Sequence, residues 1–295
     1  MRLLIAGWQG QVARALVEMA PGRPDVTGCA VGRAALDICE ARSIERALSS
    51  ISPTVVINSA AYTAVDKAES DAERAFALNR DGAQLLAEAA AKRGIPIIHI
   101  STDYVFDGHK SGPYVEDDPT HPTTVFGRSK LEGEQVVRDT NPRHIILRTA
   151  WVFSPSGRNF VKTMLSQAES QDRVRVVDDQ IGSPTYAPHL VGSILDLARI
   201  VSQPGAEVPW GVYHAANAGA TSWRGLADEV FSQSALLGGP VAEVEPINSA
   251  DYPTPAHRPA NSQLDCTKLA ETFDLRLPTW QEGVAECVSR ILDKD

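Results

Sequence analysis

Four cysteines in 295 residues, Cys29, Cys39, Cys266 and Cys287, are too few and too scattered for a disulfide framework, and no two form a CxxC pair. The seven histidines include no HExxH and no paired ligand spacing, so no dedicated metal site is expected. Both features fit a reducing, cytoplasmic setting. An excess of positive charge is missing as well. Lys and Arg total 28 against 37 Asp and Glu, a net charge of −9, which argues against nucleic acid as the main partner. No apolar run approaches the roughly 20 residues that cross a bilayer, and the short apolar start turns polar at Gln9-Gly10-Gln11, too early for a signal peptide. No membrane association is expected.

What remains is ordinary globular composition, 43% hydrophobic and 22% charged. The length suits one large domain or two smaller ones. Short aliphatic runs at 3–6, 54–58, 95–101 and 144–148 lack polar alternation, as strands buried on both faces do. Amphipathic stretches at 11–19, 43–48, 72–93 and 124–139 alternate with them, and the third stops at Gly94, a natural helix end. Repeated strand–helix–strand units predict an α/β fold, a Rossmann-type doubly wound parallel sheet. After residue 150 the pattern is less regular. Helices are expected at 159–170, 188–201, 222–236, 266–272 and 280–292, and short strands at 173–177 and 211–216. Prolines at 246, 253, 255, 259 and 278 suggest extended loops. Residues 1–150 therefore read as a dinucleotide-binding unit. Residues 151–295 read as a smaller C-terminal α/β unit, mainly substrate-binding, with some elements returning to the sheet.

The first strand runs into Gly7-Trp8-Gln9-Gly10-Gln11-Val12-Ala13 and then a helix. Small residues at 7, 10 and 13 permit a tight turn and close approach of backbone N–H groups to a pyrophosphate; a tight turn with no ligand is the plainer alternative. The second strand should end near Val31-Gly32-Arg33, where Arg33 is either a partner for a 2′-phosphate, favouring NADPH, or a surface arginine. Asp37 and Ile38 follow, within reach of an adenine. Asn58-Ser59-Ala60-Ala61-Tyr62-Thr63 puts small residues at the end of the third strand, either for a flat ligand or for helix packing. Thr102 closes the fourth strand, where a hydroxyl can meet a carbonyl substrate. Phe126 and Lys130 are four apart and share one helix face.

These motifs together are similar to the extended short-chain dehydrogenase/reductases. Within them the chain resembles the branch that reduces the C4 ketone of dTDP-4-dehydro-L-rhamnose. The resemblance spans nearly the whole chain. It is carried by the turn at 7–12, NSAAYTAVDKAE at 58–69, STDYVFDG at 101–108, FGRSKLEGE at 126–134, RTAWVF at 148–153, DQIGSPT at 179–185 and YPTPAHRPANSQLD at 252–265. It implies a cofactor, NADPH or NADH, lined by Gly10, Gln11, Val12, Asp37, Ile38, Ala61, Tyr62 and Thr63, with Lys130 on the nicotinamide ribose. It implies a dTDP-sugar substrate whose carbonyl is oriented by Thr102, with Asp103 beside it. Trp151 would pack on the deoxysugar, or else serve as a core tryptophan. Asn159, Arg258 and Ser262 would approach the nucleotide diphosphate, though for Arg258 a surface salt bridge is an equal alternative.

Two departures stand out. Phe126 occupies the position of the family's catalytic tyrosine, and phenylalanine has no proton to give. Either Tyr104, Thr102 or water supplies it, or Phe126 is a substitution, or the chain is a binding-only relative like the regulatory subunits that share the fold. A sugar-nucleotide epimerase is a further alternative. The second departure is on the first helix, which reads Ala13-Arg14-Ala15-Leu16, without the acidic residue that some members use in a magnesium-linked dimer. A monomer or a homodimer of another kind is expected.

Overall fold

The structure is a computed structural model that describes residues 1–23, 26–203 and 205–293. The side chain of Cys29 and the last two residues of the expected second unit lie outside this description. Among the described residues, thirteen strands and eleven α-helices follow one another along the chain. The strands of the first half are β1 (Arg2–Ala6), β2 (Thr27–Val31), β3 (Val55–Asn58), β4 (Ile97–Thr102) and β5 (His144–Thr149). Between them run α1 (Gln11–Met19), α2 (Ala41–Ile51), α3 (Val65–Ala68), α4 (Ala72–Phe76), α5 (Gly82–Ala91) and α6 (Val125–Thr140). The second half contains β6 (Val152–Phe153), α7 (Phe160–Ala168), β7 (Arg173–Val177), β8 (Ile181–Gly182), β9 (Thr185–Tyr186), α8 (Ala187–Val201), β10 (Gly211–His214) and β11 (Thr221–Ser222). It ends with α9 (Trp223–Leu236), β12 (Glu243–Ile247), β13 (Asn261–Ser262), α10 (Thr267–Phe273) and α11 (Trp280–Leu292).

The main sheet has the order β10-β5-β4-β3-β1-β2, with every neighbour parallel. The chain leaves β1 toward β2 on one side and returns to β3 on the other. That reversal opens a crevice at the carboxyl ends of β1 and β3, where ligands of such sheets bind. Both faces of the sheet are covered. Leu3 and Ile5 join α1 and α8 in one apolar cluster, whereas Leu4 joins residues of α2 and α5 in another. This double burial is why the strands show no polar alternation. α8 and β10 come from beyond residue 150 and complete the sheet layer. A separate cluster of Phe153, Val161, Leu165, Val174, Val230 and Val284 unites α7, α9 and α11 over the β7–β12 pair.

Two elements differ from the sequence expectation. The stretch 72–93 is not one α-helix: residues 77–81 form a π-turn between α4 and α5. Such a bulge inserts one residue into the helical ladder and turns Asn79 inward, where it is 1% exposed. Pro246, expected in a loop, sits in β12 opposite Val176. A proline is tolerated there because β12 is an edge strand. The charged stretch 65–69, which reads as either helix or loop, is a short helix, α3 (Val65–Ala68).

α6 is anchored by charge. Glu134 takes two guanidinium bonds from Arg148 of β5, at 3.0 Å from Nε and 2.8 Å from Nη2, and a further bond from the Ser101 hydroxyl of β4 at 2.5 Å. The Arg148 and Glu134 side chains are 4% and 1% exposed. Removing one partner of such a pair strands a charge in the interior. Glu134→Ala is expected to cost about 3–5 kcal/mol of unfolding free energy. Cutting the exposed Arg173–Glu243 pair with Glu243→Ala should cost far less, because solvent screens it. Denaturant titration of the two variants checks the contrast, and equal losses would contradict it.

Candidate active site

The site is built where β1, β3 and β4 end. Gly7 leaves β1 with φ +112°, and a Cβ there would lie 2.9 Å from Ser59 Oγ and 3.3 Å from the Ala60 nitrogen. Glycine alone meets both the conformation and the close approach. Gly10 caps α1 without any side-chain hydrogen bond, and the first turn of α1 holds no acidic residue. Its free N–H groups and positive dipole end suit an anionic group. Val12 follows in the same turn. The Gln11 side chain is committed elsewhere: Nε2 donates to the Val152 carbonyl at 3.0 Å, and Oε1 accepts from Ser154 Oγ (2.9 Å) and Asn159 Nδ2 (3.0 Å). It ties the turn to the second half of the chain. Asn159 is equally engaged, since its Oδ1 also caps α7 by accepting from the Lys162 N–H at 3.1 Å.

At the end of β2, Arg33 is 73% exposed and its Nε donates to Asp37 Oδ2 at 2.9 Å. Burial works against the Asp37 carboxylate, but the Cys39 N–H and the Arg33 guanidinium outweigh it and hold its pKa below the usual value. Ile38 turns the other way, buried against α5, where Gly82 leaves room for it. The 60–63 segment is fastened by Asn79, which accepts from the Tyr62 N–H at 2.8 Å and donates to the Tyr62 carbonyl at 3.2 Å and Ser129 Oγ at 2.8 Å. Ala60 donates its N–H to Asn58 Oδ1 at 3.3 Å, Ala61 is half-buried beside it, and Thr63 is exposed.

The centre holds Thr102, Asp103, Tyr104, Phe126 and Lys130. Thr102 Oγ1 donates to Asp103 Oδ1 at 2.9 Å and accepts from the Tyr104 N–H at 3.2 Å. Burial pushes the Asp103 carboxyl up to about 6, against the pull of the Ser262 and Thr102 hydroxyls. The Tyr104 ring meets the Phe126 ring edge to face at 5.6 Å. Gly127 permits this, because a Cβ there would lie 2.2 Å from the Tyr104 carbonyl oxygen. Lys130 is 2% exposed, and its Nζ donates to the Ile100 carbonyl at 2.7 Å. Burial lowers its pKa to about 8, while Glu134 one turn on draws it back up. His99 Nε2 stands 3.4 Å from Nζ, and its Nδ1 stands 3.0 Å from Asn58 Nδ2. The Asn58 side chain, whose Oδ1 accepts from the Ala60 N–H, holds the ring at Nδ1. Burial, then the Lys130 charge, holds His99 neutral.

From the second half of the chain, Trp151 adopts φ +46° and stacks on Trp223 at 3.6 Å, and Gly182 leaves room for its ring. Arg258 makes a two-pronged pair with Asp66, both bonds 2.8 Å, which draws the 252–265 segment over α3. Ser262, 1% exposed, lies beside Asp103.

The arrangement can hold an extended anionic ligand at α1 and present a carbonyl to a hydroxyl, a carboxyl and an amine. Sequence reasoning missed several of its parts. His99 reads as one more strand residue. Asn79 is hidden by an unsignalled π-turn. Trp223 is 72 residues from its stacking partner. Thr149, whose buried hydroxyl has no hydrogen-bond partner among the described residues, lies opposite Thr102 in the sheet register.

Comparison with known proteins agrees along the whole chain. The family model described as the RmlD substrate binding domain matches residues 1–292. The chain is 47% identical over 293 residues to a dTDP-4-dehydrorhamnose reductase of Sinorhizobium fredii, covering 99% of this chain and 98% of that protein. Among solved structures, a dTDP-4-dehydrorhamnose reductase from Clostridium acetobutylicum superposes with a TM-score of 0.91 at 34% identity, covering 99% of each chain. Another from Bacillus anthracis, in complex with NADP, gives 0.89 at 32% identity, over 98% of this chain and 99% of that one. UDP-glucose 4-epimerase of Thermus thermophilus, at 19% identity, shares the fold.

The burial of Lys130 makes stability depend on pH. Its folded pKa is about 8 against 10.5 when exposed, so between these values the unfolded chain binds the extra proton and stability rises with pH. The unfolding free energy of the native chain relative to Lys130→Met should therefore increase by about 3 kcal/mol from pH 7.5 to 10.5. Denaturant titrations across that range test this, and a flat difference would refute a desolvated ammonium.

Proposed function

The chain belongs to the RmlD substrate-binding-domain family, and on that premise we propose that it reduces the C4 ketone of dTDP-4-dehydro-L-rhamnose to dTDP-L-rhamnose with NADPH or NADH. The observation that carries this reading is the convergence of the turn at 7–12, Thr102 and Lys130 on one crevice, in a chain alike throughout to such reductases.

The residues present fit a dinucleotide. Gly7 leaves a cradle that a Cβ would fill, and the α1 N-terminus is uncapped. When bound, the dinucleotide supplies the hydride. The first turn of α1 holds the pyrophosphate, and Arg33 meets a 2′-phosphate by releasing Asp37, at the small cost of an exposed ion pair. Lys130 holds the nicotinamide ribose. His99, neutral and fixed by Asn58, faces Lys130 from behind. Thr102 orients the ketone oxygen by turning its hydroxyl proton from Asp103 Oδ1 to the substrate. Trp151, braced by Trp223, packs on the deoxysugar. Arg258 and Asp66 close the 252–265 segment over the nucleotide.

Phe126 leaves the family position of the general acid without a proton. The oxygen formed at C4 is then protonated through the Thr102 hydroxyl, the Tyr104 phenol or water. Burial, then the neighbouring Asp103 carboxyl, raises the Tyr104 pKa, which makes its phenol a poor acid. A general acid is worth about 10²- to 10⁴-fold. Phe126→Tyr is expected to raise turnover of dTDP-4-dehydrorhamnose by at least about tenfold, measured as NADPH oxidation with the purified chain. An unchanged rate from a native chain that is already fast would remove Phe126 as the limiting defect. No ketone reduction by either form, with dinucleotide binding intact, would favour a binding-only protein.

A further inference from the structure

Trp8 is the outlying aromatic of the glycine turn. It is 56% exposed, and its indole makes no hydrogen bond or ring contact among the described residues. An indole carries a large apolar surface, and leaving half of it in water forgoes much of what burial would contribute. The ring is nevertheless placed. A Cβ on Gly32 would lie 3.1 Å from Trp8 Cβ and 3.4 Å from Cγ, so Trp8 lies along the bare backbone just beyond β2. Gly32 is followed at once by Arg33, whose guanidinium is exposed and held only by Asp37. Two residues after Trp8 comes Gly10, the uncapped start of α1.

Trp8 thus stands between a place for a pyrophosphate and a cation at the end of β2. In a doubly wound sheet, the adenosine half of a dinucleotide lies over that strand end. We propose that Trp8 forms one wall of the adenosine subsite, stacking its indole on the adenosine, while Arg33 answers the 2′-phosphate beside it. The inference rests on the dinucleotide reading above and assigns a residue that the reading leaves unused. Stacking is indifferent to the 2′ substituent, and the guanidinium is not. Trp8 therefore sets affinity for both dinucleotides, and Arg33 sets the choice between them.

The test uses calorimetry and tryptophan emission on the native chain, Trp8→Ala, Trp8→Phe and Arg33→Ala, titrated with NADPH, NADH and 2′,5′-ADP. Base–aromatic stacking contributes to affinity whatever the base. Trp8→Ala should therefore weaken NADPH and NADH alike by about tenfold and raise KM with kcat unchanged. Trp8→Phe should retain most of the affinity but lose the part of the emission quenching that Trp8 contributes. Arg33→Ala should weaken NADPH and 2′,5′-ADP while sparing NADH. Native affinity in Trp8→Ala, or quenching unchanged in Trp8→Phe, would overturn the role of Trp8 and leave the reductase reading standing. Failure of the native chain to bind any of the three ligands would instead overturn the dinucleotide reading, and the inference with it.

Discussion

The site depends on how closely α6 can approach its neighbours. Two glycines on that helix have no room for a side chain. A Cβ on Gly127 would lie 2.2 Å from the Tyr104 carbonyl oxygen, and one on Gly133 would lie 2.1 Å from the Asn79 carbonyl oxygen. Backbone therefore packs on backbone at both ends of the stretch that carries Phe126 and Lys130. This contact presses Phe126 against Tyr104 and drives the Lys130 amine down to the Ile100 carbonyl. Larger residues at either glycine would lift the helix and separate the amine from the end of β4. The lowered Lys130 pKa follows directly, because the same approach that positions the amine strips it of water.

The Glu134–Arg148 pair has a related effect. A buried ion pair is a weak source of net stability, since desolvation offsets much of its Coulombic gain. It is, however, specific. Glu134 is fixed by a fork from β5 and a hydroxyl from β4, so α6 can dock in one register only. Because Glu134 follows Lys130 by one turn of helix, the pair that locates the helix also moderates the titration of its amine. Structural and chemical demands meet in the five consecutive residues from Lys130 to Glu134, which is why FGRSKLEGE is so informative as a motif.

Much of the architecture is legible from periodicity. The boundaries of α1, β7 and α11 lie where pattern places them, since each combines an apolar face with clear breakers. The parallel sheet is legible because strands buried on both sides cannot alternate. What pattern hides is anything decided by distance in sequence. The π-turn at 77–81 is set by what Asn79 must reach in α6 and in the 60–63 segment, and nothing local distinguishes it from an α-helix. Pro246 reads as a loop until its strand is seen to be an edge. At the site, Gly7, Thr102 and Lys130 are legible because their spacing carries their chemistry. His99, Thr149 and Trp223 are not, because each acquires meaning only from a partner on another element. Gln11 and Asn159, expected to meet ligands, also join the two halves of the chain through their side chains.

Phe126 separates what the fold requires from what the reaction requires. Its ring is 7% exposed and packs edge to face on Tyr104. Phenylalanine satisfies that environment without leaving a buried hydroxyl in need of a partner, so the fold loses nothing by it. On the proposed reading, the reaction loses the acid that a tyrosine would place there. All the groups that would sharpen a phenol there persist: the amine of Lys130, the neutral ring of His99 behind it and the Thr102–Asp103 couple. They constitute an electrostatic setting for an oxygen that the side chain at 126 does not carry. Packing and catalysis are therefore separable at this position in a way they are not at Gly127 or Lys130. On the proposed reading, a single oxygen atom at 126 would change the rate while sheet, helices and the turn at 7–12 remain as they are.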